Sequence, residues 1–305
     1  LIADQPIDEG IHEVREIDVA SPLAAIMNDV INYAGQHRNR FGEEPTEGSA
    51  ADLETRNAGE TISERRQFDI RATHEQAAGI CIQSAGYLLN SLIQLLRKDM
   101  ALFGFQVVTR AIVETSVKAW WLVDPAASVD TRLARLYVDN LTNINEMAKV
   151  GRVGDTDARP VELRRRALAE RAESAGVAPK YNSKSQLIGF GEVSKPESTK
   201  MAGQFFEALG FEHGEYWYRS LSAICHGTAY GLLDHYMLVD IPGSELKSLA
   251  PNLSVEDVLH AAILSMQAYL GAIEFDSMLM GWDHQDVAQH RELFHSRMVD
   301  AASGQ

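Results

Sequence analysis

The sequence predicts an all-α fold, an antiparallel multi-helix bundle, on three observations. Apolar residues recur at helical spacing from Ser21 onward. Strand signals are scarce: there is no sustained apolar alternation and no Asn-Gly or Asp-Gly hairpin turn. The breaks between helical stretches are mostly short, which makes neighbouring helices antiparallel. The composition, 45% hydrophobic and 23% charged over 305 residues, is globular and excludes a wholly disordered chain. No solenoid-type repeat is present.

Taken in order, Ser21-Pro22 reads as a cap followed by proline at the first helical position, opening a helix to about Arg38. Residues 40–59 are polar, with Gly, Pro and Ser, and read as a linker. Residues 1–60 are thus expected to be an acidic N-terminal helix plus linker, and 61–305 the helical bundle. Thr61 to Glu64 fits a capping box. The helix it starts is expected to reach Arg97, bending near Gly79 or Gly86. A second apolar helix spans about Phe103 to Val123 and stops at Asp124-Pro125. Asp130 caps a helix to about Val150, broken by Gly151 to Asp157. A charged helix over 160–175 precedes a loop over 176–198. Helices over about 197–209, 215–238, 254–281 and 284–300 complete the chain.

The net charge is −15, and residues 1–70 hold 15 Asp/Glu against 6 Lys/Arg. Such an acidic surface repels phosphate backbones, so a broad nucleic-acid-binding face is not expected, although a small local site is compatible with it. The two cysteines, Cys81 and Cys225, read as reduced thiols of a cytoplasmic protein rather than a disulfide or zinc framework. The uncharged run Gln76–Leu96 is long enough to cross a bilayer. Its Gln83, Ser84, Asn90, Ser91 and Gln94 favour a core helix, and no membrane association is expected.

The segment YWYRSLSAICHGTAYGLLDHY (216–236) carries the strongest chemical pattern. Arg219 and His226 are seven positions apart, about 20° from each other around a helix, with Ser222 between them on the same stripe. A buried arginine needs a partner, so the stripe is expected to face a carboxylate, a ligand or a subunit interface. Arg110 and Glu114 form an i,i+4 pair on the helix that also bears Trp120 and Trp121, and Glu114 is the first choice of carboxylate for His226 or Arg219.

An arginine followed by a histidine within one late helix of an all-helical domain resembles the HEPN superfamily. The stretches RAIVETSVKAWWLVDP (110–125) and YRSLSAICHGT (218–228) are also similar to helical actinobacterial proteins. The resemblance spans roughly residues 70–280 in pattern. It implies a metal-independent endoribonuclease of a toxin–antitoxin or antiviral defence system, acting at a homodimer interface. Arg219 would then hold the scissile phosphate and His226 would serve in acid–base chemistry. The family often places Asn, Asp or His directly after the arginine, whereas Ser220 stands here.

The other reading is a non-catalytic helical protein binding a partner protein or small ligand in a pocket lined by Trp120, Trp121, Tyr218 and His226. No cofactor is expected. A ferritin-like metal site is not expected either: the Glu-x-x-His spacing at Glu9–His12 lies in the N-terminal stretch, and Glu256/His260 is a single pair. Phosphate-loop and serine-elbow motifs are absent. Arg159, Arg164, Arg165, Arg166 and Arg171 form a basic cluster, the one candidate for contacting phosphate, which reads otherwise as a solvated face balanced by Glu162, Glu170 and Glu173.

Overall fold

The computed structural model describes residues 20–38, 43–61, 64–97, 104–153, 159–228, 236–240, 247–251 and 254–303. It is an all-α bundle with two small antiparallel hairpins. In chain order the elements are α1 (Ala20–Arg38), α2 (Ala50–Thr61), α3 (Glu64–Glu75), a π-helical segment (Gln76–Ile82), α4 (Gln83–Arg97), α5 (Gly104–Val123), α6 (Val129–Val153) and α7 (Arg159–Ser174). There follow β1 (Pro179–Tyr181), β2 (Leu187–Phe190), α8 (Ser198–Ala208), α9 (Gly214–Cys225), β3 (Tyr236–Asp240), β4 (Lys247–Pro251), α10 (Val255–Met280) and α11 (His284–Ser303).

The bundle is built around α10. Its sequence is apolar on every side, as a helix enclosed by others requires. It packs against α5 and α11, and α1 closes one flank. Ser254 and Asp257 make a reciprocal capping box at its start. The helix α1 does not stand apart: Leu23, Met27, Val30 and Ala34 are fully buried against the bundle.

Several boundaries differ from the sequence reading. The linker stretch 40–59 holds α2 from Ala50 onward. Ser49 supplies its cap, accepting from Asp52 N–H at 3.2 Å, while the Asp52 carboxylate accepts from Gly48 N–H at 2.7 Å. The expected bend near Gly79 is the π-helical segment, where one extra residue per turn is accommodated. Ser128 rather than Asp130 caps α6, accepting from Thr131 N–H. The loop 176–198 contains the β1–β2 hairpin, whose turn is organised by Asn182 Oδ1 accepting from the N–H groups of Lys184 and Gln186. The expected helix over 215–238 stops at Cys225, and β3 pairs with β4 beyond it. The Thr61–Glu64 capping box falls partly, and Glu9–His12 wholly, outside the described residues.

Candidate functional site

The end of α9 meets the middle of α5. Gly227 takes φ +62° immediately after the helix, a left-handed conformation that costs an L side chain about 1–2 kcal/mol. Thr228 N–H donates to Ala223 C=O at 3.1 Å and Gly227 N–H to Ile224 C=O at 2.9 Å, a Schellman closure. His226 is thereby fixed as the capping residue, exposed at the helix end and still bonded through its N–H to Ser222 C=O at 3.0 Å.

There the His226 ring meets Arg110 of α5, with Nη1 to Nε2 at 3.3 Å. A guanidinium has only donors, so a hydrogen bond here requires Nε2 to accept and the ring proton to sit on Nδ1. Arg110 is held in turn by Glu114, its Nε donating to Oε1 at 2.8 Å. The same Oε1 accepts from the Tyr218 hydroxyl at 2.7 Å. Burial disfavours the charge on Arg110, but the bond to Glu114 and its negative charge outweigh this and raise the guanidinium pKa. Burial, then the Glu114 hydrogen bond and charge, raise that of Tyr218. Burial also raises that of Cys225, although Arg110 beside it pulls the other way. The result is a half-open cluster in which a carboxylate aims a fixed cation, and the cation touches an exposed imidazole.

This differs from the expected arrangement in three ways. Arg219 and Ser222 do share α9 with His226 as the spacing requires, but Arg219 is not buried. Its side chain is 68% exposed and pairs with Glu215 one turn back, at 3.0 and 2.7 Å to Oε1. The arginine that meets His226 is therefore Arg110. Second, Glu114 bonds Arg110 and Tyr218 through Oε1 rather than Arg219 or His226. Third, Trp120 and Trp121 do not join Tyr218 and His226 in one pocket. Trp120 is in the core against Phe205 and Phe275, and Trp121 lies under Arg135. At 1.5 Å per residue Trp120 sits about 15 Å along α5 from Arg110 and about 9 Å from Glu114. Glu215 and Cys225 were missed. Glu215 was legible in principle, as an acid four residues before Arg219. Cys225 was not, because its contact with Arg110 is tertiary.

Among the described residues no group of three or more His, Cys, Asp or Glu is placed to hold a metal ion. Compared with models of protein families, with curated proteins and with solved structures, the chain matches none.

Proposed function

We propose that the chain is a HEPN-like, metal-independent endoribonuclease whose working groups are Arg110 and His226, with Glu114 and Tyr218 as positioning residues. The observation that carries this reading is the Arg110–His226 contact at an exposed helix end. An imidazole whose Nε2 can accept a proton once Arg110 turns away is the form that general-base catalysis needs, and a rigidly held guanidinium suits a phosphate. When a phosphodiester enters, Arg110 turns its Nη1 to a phosphate oxygen and releases Nε2. His226 then takes the proton of the ribose 2′-hydroxyl. The 2′-oxygen–phosphorus bond forms, the phosphorus–5′-oxygen bond breaks, and the proton passes to the departing 5′-oxygen. The products are a 2′,3′-cyclic phosphate and a 5′-hydroxyl.

A homodimer of cytoplasmic location goes with this reading. The outer face over Gln76–Leu96 lacks charge and exposes Ile80 and Tyr87, which suits coverage by a second copy. Light scattering at micromolar concentration tests this; a 33.7 kDa monomer would count against it.

The catalytic reading is tested with a fluorogenic single-stranded RNA in EDTA. Cleavage is expected, with a 2′,3′-cyclic phosphate end, and it should stop when the 2′-hydroxyl at the cut site is replaced by hydrogen. His226→Ala should lower the rate by about 10²–10⁴-fold while leaving the protein folded. RNA left intact over a wide pH range, or a His226→Ala variant as fast as the parent, overturns it.

A further inference from the structure

A second site, unconnected to the α5–α9 cluster, lies where the 43–49 segment and α2 cross α3, α6 and the end of α10. It is a pocket of about 150 Å³. A cavity of about 150 Å³ takes a benzene-sized body. Its floor is apolar: Ile70, Leu133, Leu279 and Met280 are all buried core residues. Its walls carry four carboxylates, Glu43, Glu44, Glu54 and Glu75, against two arginines.

The arginines are already committed. Arg132, almost wholly buried, pairs with Glu54 and donates to the backbone carbonyls of Asp124 and Ala127. Arg71 pairs with Glu44 at 3.6 Å. His74, the other basic group in the wall, faces away to Asp276, with Nδ1 2.8 Å from a fully buried carboxylate oxygen. Glu43 and Glu75 have no cation within ion-pair distance among the described residues. The C-terminal turn of α10, Leu279 and Met280, adds the negative end of a 26-residue helix.

The mouth is also built rather than incidental. Thr46 N–H donates to Met280 C=O at 3.0 Å, and the Ser49 and Thr46 side chains press on Gly281, where a Cβ would lie 2.6 Å from that of Ser49. The strap that forms the wall is thus fixed to the helix that forms the floor.

We infer that this pocket binds a small organic cation with an apolar body, its ammonium or guanidinium between Glu43 and Glu75 and its hydrocarbon on Ile70, Leu133 and Met280. A neutral molecule of the same shape loses the ion pairs, and an anion meets Glu43, Glu75 and a helix C-terminus.

The test uses the full chain and three probes of matched shape: phenethylammonium, phenethyl alcohol and hydrocinnamate. Binding is followed by calorimetry and by the methyl signal of Met280. Phenethylammonium should bind saturably, shift the Met280 methyl and raise the melting temperature. The alcohol should bind at least about fivefold more weakly and the anion not at all. Glu43→Gln and Glu75→Gln, both at exposed positions, should each weaken the amine by about fivefold, the size of one half-exposed ion pair. The inference is overturned if the amine fails to bind up to about 10 mM, if alcohol and amine bind alike, or if Glu43→Gln/Glu75→Gln binds the amine as well as the parent does. None of these outcomes depends on whether the chain cleaves RNA.

Discussion

Two polar regions of this molecule use the same residue types to opposite ends. Between α3, α6 and α7, Asp69 is fully buried and receives Arg171 Nε at 2.9 Å, Arg65 Nε at 3.1 Å and the Tyr137 hydroxyl. Nearby, buried Asp139 receives Lys118 at 2.9 Å, Lys195 at 3.5 Å, Gln76 at 2.7 Å and Asn143 at 3.3 Å. Cys81, close to that network, has its thiol pushed up to about 11 by burial, which makes it inert. In these networks the carboxylate is at the centre and the cations converge on it. At the α5–α9 site the carboxylate is not enclosed: the Glu114 side chain is 40% exposed, more than the 19% of Arg110, and His226 faces solvent. An arrangement whose bonds are all spent in the interior ties helices together; one left partly open at the surface, with an exposed imidazole, can take a ligand.

The largest expected effect comes from breaking the first region. Asp69→Ala strands Arg65, Arg171 and the Tyr137 hydroxyl around a void. Removing one partner of a buried pair costs about 3–5 kcal/mol. Urea unfolding should show a loss of that size. A change below about 1 kcal/mol would mean that water replaces the carboxylate and that the network is not structural.

Next is the contrast between two arginines. Arg110→Ala should lower RNA cleavage by about 10²-fold, the cost of losing one preorganised donor to a developing charge. Arg219→Ala, which removes only an exposed pair with Glu215, should change it by less than about threefold. Arg219→Ala should unfold within about 0.5 kcal/mol of the parent, and Arg110→Ala, which strips Glu114 of a bond, should lose about 1 kcal/mol. If Arg219→Ala were the worse of the two, the phosphate would sit on the outer face of α9 and the Arg110 assignment would fall.

That contrast also shows how far the sequence can be read. The helix spacing gives the stripe on α9 and the Arg110–Glu114 pair on α5, because both are local. It does not give the crossing of α5 with α9, so the arginine belonging to His226 is misassigned by sequence proximity. The helices α5 and α10 are legible because their apolar residues are many and their breaks sharp. By contrast, α2 is short and polar, and its one plain signal, Gly48-Ser49 followed by Asp52, is easily passed over inside a stretch rich in Gly and Pro. The run Tyr236–Asp240 is apolar enough for either a helix or a strand, and only pairing with β4 decides it.

A smaller effect concerns His74, whose imidazole is 13% exposed beside Asp276. Burial lowers its pKa, but the charge of Asp276, the contact with it and the charge of Glu75 prevail and leave it raised above 6.5. A histidine raised on folding adds stability that is complete below the unfolded-state value and lost as pH rises through the folded-state value. The parent should therefore lose stability relative to His74→Gln as the pH is raised from about 6 to above the ordinary histidine range. Urea midpoints across that window measure it. A parent-to-variant difference that stays constant would show that the ring is not protonated in the fold.

The smallest effect tests the cap that positions the site. At Gly227 nothing lies within 4 Å of an added Cβ, so Gly227→Ala has no steric clash and acts only through φ +62°. Left-handed backbone costs alanine about 1–2 kcal/mol, and the stiffer unfolded chain returns about 0.4–1 kcal/mol. A net loss near 1 kcal/mol in urea unfolding is expected. The functional effect should be a few-fold drop in cleavage, because a relaxed cap lets α9 run on and swings His226 away from Arg110. The two readouts should move together: the more the cap is strained, the less often Nε2 meets Nη1. If Gly227→Ala is neutral or stabilising, the Schellman closure does not define the end of α9. The helix would then extend toward residue 238, as its apolar spacing suggests, and the His226–Arg110 contact would lose its physical basis.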